Sequence, residues 1–316
     1  MTARAITCVQ AVVRRIESAG NGIKHFTLED EDGWELPPAR PGAHIDLLLA
    51  GGVLRTYSLC SGPQHQTRYE IAVKREAGGR GGSAFLHDRV REGDVIGLSL
   101  PRGGLALPTG MRQVFLAGGI GVTPFLSAAD ELLRRGDRDF ILHVLARGEP
   151  PLARLLAPLQ DQGLAVLHDT RIGRPELDLL LGPARPGVML SCCGPATMLD
   201  AFETATANWP QQQVHVERFV PPVLVPDPEA APYTLVLART NRTLDVPAGM
   251  PMIEAIASCG IDVPTSCGGG ICGACKVGVI EGKPLHHDRI LSPAEREHSL
   301  LACVAGCAGG RLVLDL

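Results

Sequence analysis

Ser266-Cys267-Gly268-Gly269-Gly270-Ile271-Cys272-Gly273-Ala274-Cys275 is the stretch that decides how this chain reads. Its three cysteines stand as C-x4-C-x2-C, and a fourth, Cys303, follows after a long gap. This is a spacing at which four thiolates hold a [2Fe–2S] cluster. The loop must wrap closely around inorganic sulfur. Glycines at 268, 269, 270 and 273 let backbone N–H groups turn inward with no Cβ in the way. Such a cluster takes one electron at a time, so the rest of the chain should contain the source of electrons.

Working outward, residues 233–316 form a block around this loop: a hairpin over Thr234–Val246, a helix over Met250–Cys259, the cysteine loop, and a closing strand over Arg311–Leu316. Before it lies Val220–Pro232, with five prolines in thirteen residues. That run cannot form a helix or a central strand and reads as a stiff linker, placed at 223–232. Residues 107–222 alternate apolar runs (113–117, 140–145, 187–192) with helical stretches (124–135, 196–207), the pattern of βαβ units on a parallel sheet. Residues 1–106 carry short strands (44–49, 69–74, 94–98) between glycine and proline turns, the pattern of a small antiparallel barrel.

Bulk properties narrow the field. The chain has 316 residues, 45% hydrophobic and 20% charged, as expected of a globular protein of two or three parts. A net charge of −4 gives no reason to expect nucleic acid or an anionic membrane as partner, and 4% aromatics argue against base stacking. There is no long apolar run for a membrane span and no signal-like N-terminus. Ten cysteines without a secretory signal fit a reducing cytoplasm with some thiols as metal ligands. Cys8, Cys60, Cys192 and Cys259 are most simply small buried hydrophobes. His286-His287-Asp288 reads as a polar loop.

Four further motifs carry chemistry. Arg55-Thr56-Tyr57-Ser58 ends a strand of the first block, where alternate side chains face one pocket. A guanidinium for phosphate, a phenol ring and a small hydroxyl together can serve a flavin. Gly78-Gly79-Arg80-Gly81-Gly82-Ser83 then leads into a helix at Ala84–Val90, an anion-binding pattern in which Ser83 is placed as N-cap or phosphate ligand, with Lys74 able to add charge. Taken alone, the first is an ordinary strand end, and the second has a surface loop as its lesser alternative. Third, Gly118-Gly119-Ile120-Gly121-Val122-Thr123-Pro124 follows an apolar strand and opens a helix, and Cys193-Gly194-Pro195 does the same further on. Both fall where open α/β sheets bind nucleotides. The pattern is not G-x-G-x-x-G.

The order R-x-Y-S, G-G-x-G-x-T-P, C-G-P and then the cysteine loop resembles the ferredoxin–NADP reductase superfamily. Within it, the chain is similar to the phthalate dioxygenase reductase and vanillate demethylase reductase group, which serves Rieske non-haem iron oxygenases. The resemblance implies an antiparallel β-barrel flavin domain (1–106), an α/β parallel-sheet NAD domain (107–222) and an α+β β-grasp ferredoxin domain (233–316). It implies FMN held by Arg55, Thr56, Tyr57, Ser58, Val73, Lys74, Gly82 and Ser83. NADH would lie over Gly119, Gly121, Thr123, Pro124, Gly194 and Pro195, with Cys193 beside the nicotinamide. Glu217-Arg218-Phe219 matches a segment that ends the second domain at the flavin, so Phe219 would touch the isoalloxazine. Ser58, Thr123 and Cys193 would be the residues closest to the chemistry. The cluster ligands would be Cys267, Cys272, Cys275 and Cys303. After Cys303 the group shows serine and arginine, whereas this chain supplies Cys307. The context Leu300–Val304 favours Cys303 and leaves Cys307 as a nearby thiol.

The implied electron path runs from NADH through FMN to the cluster and on to an oxygenase component. Flavin bridges the mismatch between a two-electron donor and a one-electron acceptor. Arg147, after the second strand of its domain, can in principle meet a 2′-phosphate, so NADPH stays open beside NADH. FMN is expected over FAD because no adenine-binding segment stands out. The acceptor can also be a di-iron or haem oxygenase. A non-catalytic electron carrier would require the flavin and nucleotide motifs to be vestigial. A zinc protein is disfavoured because structural zinc sites use two close cysteine pairs.

Overall fold

The computed structural model describes residues 8–220 and 231–316. Most of the expected linker falls on 221–230, outside the described residues. The chain divides into two compact units, residues 1–219 and 220–316.

The first unit opens with strands β1 (Cys8–Ser18), β2 (Ile23–Asp30), β3 (His44–Leu49), β4 (Val53–Ser58) and β5 (Tyr69–Lys74), then helix α1 (Gly82–Asp88) and strand β6 (Val95–Ser99). Their order is β4-β3-β6-β1-β2-β5, and the pairings are antiparallel. A bridge between Leu59 and Ile71 joins the two ends, giving a nearly closed barrel. The strand period of two explains the filling. Ala11, Val13, Phe26, Leu28, Ile45, Leu47, Ile71 and Val73 point inward as one apolar cluster.

The unit continues through β7 (Arg112–Gly118), α2 (Thr123–Arg134), β8 (Phe140–Ala146), α3 (Ala153–Asp161), β9 (Ala165–Asp169), α4 (Leu177–Leu181), β10 (Val188–Cys193), α5 (Ala196–Ala205) and β11 (Val214–Glu217). The sheet order is β11-β10-β7-β8-β9, all parallel. Both faces are covered, which is why these strands read as unbroken apolar runs. Phe115 and Ala117 of β7 pack with Phe125 and Leu132 of α2, and the Phe115 and Phe125 rings stack at 5.0 Å. Val114 and Leu116 point the other way, onto Leu190, Leu199 and Phe202. The chain runs from β7 outward to β8 and β9, then crosses back to β10 and β11. The switch point therefore lies between β7 and β10, the place where such sheets bind ligands. Ile23, Cys60 and Ala72 of the barrel belong to the same apolar cluster as Phe115 and Phe125, so barrel and sheet share a core.

The second unit contains β12 (Tyr233–Leu237), β13 (Arg242–Val246), α6 (Met252–Ser258), β14 (Lys276–Glu281), β15 (Pro284–Leu285), α7 (Pro293–Arg296), β16 (Ser299–Leu301), β17 (Gly306–Cys307) and β18 (Gly310–Leu314). Its main sheet is ordered β13-β12-β18-β14-β16, with β12 and β18 parallel and the other pairs antiparallel. Met252, Ala255 and Ile256 of α6 join Leu235, Leu237, Leu312 and Leu314 in its core, a β-grasp arrangement. Helix α6 begins after Pro251, two residues later than the sequence pattern predicts.

Candidate active site and candidate metal centre

The two glycine turns after β7 and β10 meet at the switch point. A Cβ on Gly121 would sit 2.6 Å from the Cys193 carbonyl carbon and 3.0 Å from the Gly194 nitrogen, and one on Gly118 would strike Pro195 and Met198. Only glycine lets these two backbones touch. Gly119 has φ +54, which turns the chain from strand into helix. The half-exposed Gly119 and Gly194 and the exposed Pro195 form the open lip. Beneath it, Thr123 and Cys193 are almost wholly buried. The Thr123 hydroxyl donates to the Ile120 carbonyl at 3.1 Å and so secures the start of α2. Burial carries the Cys193 thiol well above its ordinary value. Pro124 is buried at the first turn of α2.

Next to this lip the barrel contributes its own strand end. Ser58 closes β4 and donates a hydrogen bond of 2.8 Å to Glu217 Oε1, at the end of β11. Glu217 lies beside Cys193 in the parallel register. Burial pushes its carboxyl up to about 7, with the Ser58 hydroxyl pulling the other way. Ser58, Glu217 and Cys193 thus form one line from barrel to sheet. The sequence motifs point to Ser58 and Cys193 separately. Glu217 as their link is missed, because its partner lies 159 residues away. Phe219, two residues on, is 39% exposed.

Further along β4, Arg55 lies against the start of α1. A Cβ at Gly82 would overlap the Arg55 side chain. Arg55 donates to its own neighbour's carbonyl, Leu54, at 2.7 Å and to the Arg80 carbonyl. Partial burial and then the neighbouring Arg80 guanidinium lower the Arg55 pKa. Two adjacent guanidiniums beside a glycine-backed helix start suit a phosphate dianion. The N-cap of α1 is Gly81, in a left-handed conformation, not Ser83. Ser83 is the second residue of the helix, and its hydroxyl accepts from the Glu76 amide at 3.1 Å, fastening the loop. Thr56 donates to Asp46 at 2.6 Å, Lys74 pairs with Glu76, and burial raises the Tyr57 phenol to about 12. Val73 is fully buried, and its carbonyl meets a His87 ring nitrogen at 2.8 Å.

In the second unit, Cys267, Cys272, Cys275 and Cys303 are all buried, and thiol contacts link them in the order Cys272, Cys267, Cys303, Cys275. Thiol hydrogen bonds from Cys272 and Cys303 lower the Cys267 pKa, helped by the amides of Gly269 and Ile271, and one from Cys303 lowers Cys275. The Gly269 N–H reaches Cys267 Sγ at 3.4 Å. Gly270 has φ +71, and a Cβ there would meet Val304 at 2.8 Å. Four sulfurs ringed by inward amides form the donor set of an iron–sulfur cluster. Cys307 is engaged elsewhere: its thiol lies 3.2 Å from the Gly309 carbonyl and 3.7 Å from that of Lys283.

Other residues need correction. Cys8 is exposed and Cys259 half-buried, so neither is a core hydrophobe, whereas Cys60 and Cys192 are buried as expected. Both residues sit at element boundaries: Cys8 opens β1, and Cys259, just after α6, packs against the edge of its unit's core. In the His286–Asp288 loop, Asp288 is buried, accepts from the Leu291 amide at 2.9 Å and pairs with Arg296. Gly148, next to Arg147 in sequence, donates its amide to Asp169, which Arg171 holds in an ion pair.

A flavin-type barrel, a parallel sheet with nucleotide-type turns at its switch point and a four-cysteine β-grasp unit define an electron-transferring reductase. Residues 235–307 match the 2Fe-2S iron-sulfur cluster binding domain. The chain is 34% identical to phthalate dioxygenase reductase of Burkholderia cepacia over 306 residues, covering 95% of each chain. It is 37% identical over 327 residues to the tert-butanol monooxygenase / tert-amyl alcohol desaturase reductase subunit of Aquincola tertiaricarbonis, covering 98% of this chain and 96% of the relative. Among solved structures, phthalate dioxygenase reductase, described as modular for electron transfer from pyridine nucleotides to [2Fe-2S], superposes with a TM-score of 0.71 at 32% identity and 98% coverage of both chains. An intact type IV self-sufficient cytochrome P450 monooxygenase gives a TM-score of 0.88 at 32% identity, with 98% of this chain matching 41% of that longer one. The protein belongs to the phthalate dioxygenase reductase family, the reductase components of oxygenase systems. Among the described residues no helix is long and apolar enough to cross a membrane.

Proposed function

We propose that this protein is the cytoplasmic, NADH-dependent reductase of a Rieske-type aromatic-ring dioxygenase or O-demethylase, with FMN in the first unit and a [2Fe–2S] cluster in the second. The observation that carries the reading is the Ser58–Glu217 hydrogen bond at 2.8 Å. It joins the flavin-type strand end to the nucleotide-type sheet edge, so the two motif sets serve one site. Bound FMN would supply the exchange between a two-electron donor and a one-electron cluster.

The chain's own residues supply binding, orientation and proton handling. Arg55 and Arg80 would take the FMN phosphate against the backbone of Gly81 and Gly82, and Lys74 with Ser83 would shape the edge of that pocket. Thr56, Tyr57, Ser58 and Val73 would line the ring, with Phe219 at its outer face. Gly119, Gly121, Gly194 and Pro195 would admit the dinucleotide, and the buried Thr123, Pro124 and Cys193 would hold the floor beneath it. A carboxyl near pH 7 is matched to exchanging protons at working pH. Glu217 Oε1 would therefore take, through Ser58 Oγ, a proton given up at the site as electrons leave singly, and pass it on to solvent. Cys267, Cys272, Cys275 and Cys303 would ligate the cluster, with the surrounding amides tuning its potential.

The test is the visible spectrum of anaerobic protein before and after NADH. Overlapping flavin and iron–sulfur bands that bleach with NADH, followed by re-oxidation on adding a Rieske oxygenase, are expected. A coloured protein that does not bleach with NADH would overturn the donor assignment. The match to a P450 fusion supports a second acceptor, a haem oxygenase. Re-oxidation by a haem partner and not by a Rieske partner would favour it.

A further inference from the structure

We propose that His25, Cys60 and Glu70 form a zinc-binding site in the barrel, separate from the cysteine loop of the other unit. His25 lies on β2, Glu70 on β5, and Cys60 on the segment that closes the barrel after β4. His25 Nε2 is 3.6 Å from Cys60 Sγ and 3.7 Å from Glu70 Oε2. The three donor atoms all lie within 4.8 Å of one another.

The distances suit one tetrahedral ion. Zn–S of about 2.3 Å and Zn–N of about 2.05 Å at the tetrahedral angle put sulfur and nitrogen about 3.5 Å apart. The nitrogen–oxygen separation for such an ion is about 3.4 Å and the sulfur–oxygen separation about 3.6 Å, so the Glu70 carboxylate has to close by a few tenths of an ångström on His25 and by up to about 1.2 Å on Cys60. Backbone pairing fixes all three carriers. His25 is in register with Ala72, which places Glu70, two residues earlier on β5, on the same face. The Cys60 amide donates to the Glu70 carbonyl at 2.8 Å, beside the Leu59–Ile71 bridge. Glu70 keeps its other oxygen on Arg68 at 2.7 Å, and its amide donates to Ser61 Oγ at 3.1 Å. That outer hydrogen bond orients the carboxylate as metal sites require.

The chemistry is consistent with this geometry. Cys60 and His25 are 5% and 6% exposed. Burial favours the neutral imidazole, the form that binds metal. Burial also holds the thiol protonated in the metal-free protein. Binding therefore forms the S–Zn bond as the thiol proton leaves to solvent, and thiolate plus carboxylate neutralise the divalent ion. Water takes the fourth position. Glu70, half-buried and facing Arg68, marks the entry side. A sulfur–imidazole–carboxylate set selects zinc or cadmium over calcium or magnesium, which take oxygen alone.

The test uses the full-length protein with its iron content measured before and after. It is incubated with zinc sulfate, desalted, and assayed for zinc per chain and for zinc K-edge absorption. The expected result is about one zinc with one sulfur and otherwise nitrogen and oxygen neighbours, iron unchanged. Cys60→Ser and His25→Gln should each weaken retention by more than the roughly 10–100-fold typical of losing an outer hydrogen-bond partner. Glu70→Gln, at a half-buried position, carries the test if the buried variants do not fold. No retained zinc, a shell of four sulfurs (zinc exchanged into the cysteine loop), or retention unchanged in these variants would overturn the proposal.

Discussion

The cysteine loop and the barrel–sheet seam are built in opposite ways. The loop packs three of its four sulfurs into nine consecutive residues, 267–275, and takes its shape from glycines within the same stretch. The seam is assembled from strand ends that meet only when the first unit has folded, with Ser58 and Glu217 separated by 159 residues. A local site should fail by losing its occupant while its surroundings stand. An assembled site should fail by degrees, through packing, protonation and geometry.

The largest contrast should come from Cys303→Ser against Cys307→Ser. The first should abolish the iron–sulfur bands and electron delivery to any protein acceptor, yet leave NADH-driven reduction of a small dye intact. The second should keep the cluster, since Cys307 already binds the Gly309 and Lys283 carbonyls. Iron per chain and the visible spectrum decide it. Cluster loss in Cys307→Ser with retention in Cys303→Ser would reverse the ligand assignment.

Gly121→Ala tests the seam by packing alone. The new Cβ meets the Cys193 backbone, which cannot swing aside as a side chain would. Overpacking of this kind costs about 1–3 kcal/mol. The expected outcome is a lower urea midpoint and a raised KM for NADH, with the iron–sulfur bands unaffected. Unchanged NADH kinetics would remove Gly121 from the nucleotide site.

This contrast also explains what the sequence could and could not reveal. The apolar runs of β7, β8 and β10 are sandwiched between helices, so their composition alone announces a parallel sheet, and the cysteine spacing announces its cluster. The register that lays Glu217 beside Cys193, and the Ser58 hydroxyl that reaches it, are tertiary facts with no local signature. The same holds for His25, Cys60 and Glu70, which come from two strands and the segment after a third. Ser83 reads as a cap because serine commonly caps helices, but Gly81 can adopt the left-handed turn that the loop needs, and it takes the position. Burial misleads at Cys8, an exposed residue at the start of a strand.

Protonation offers a finer probe of the seam. The Glu217 carboxyl is raised from 4.5 to about 7, chiefly by burial. The folded chain therefore binds this proton more tightly than the unfolded chain does. The stability it contributes is complete below about pH 4.5 and disappears as pH rises through about 7. The rise from 4.5 to about 7, at about 1.4 kcal/mol per tenfold change in proton affinity, sets an upper bound of about 3.5 kcal/mol. Glu217→Gln, fixed in the neutral form, should level that slope and exceed the parent in urea stability above neutral pH. It should also remove a pH step near 7 from the NADH-driven rate. A parent whose stability is flat between roughly pH 5 and 8 would mean that Glu217 is already ionised in the fold.

The smallest effect should be the coupling between the two ends of the seam. Ser58 donates to Glu217 and holds its pKa down. Removing the hydroxyl in Ser58→Ala should therefore move the Glu217 titration further up. In the Glu217→Gln background the same change should matter less, because an amide oxygen is a weaker acceptor than a carboxylate. A double-mutant cycle at a pH where Glu217 is ionised should give an interaction energy of about 1 kcal/mol, within the range for a single hydrogen bond. At a pH where it is protonated the coupling should shrink. Coupling that appears only on the ionised side would show that residues 159 positions apart act as one proton-handling pair. Strict additivity at both pH values would reduce the contact to packing and place the proton path elsewhere.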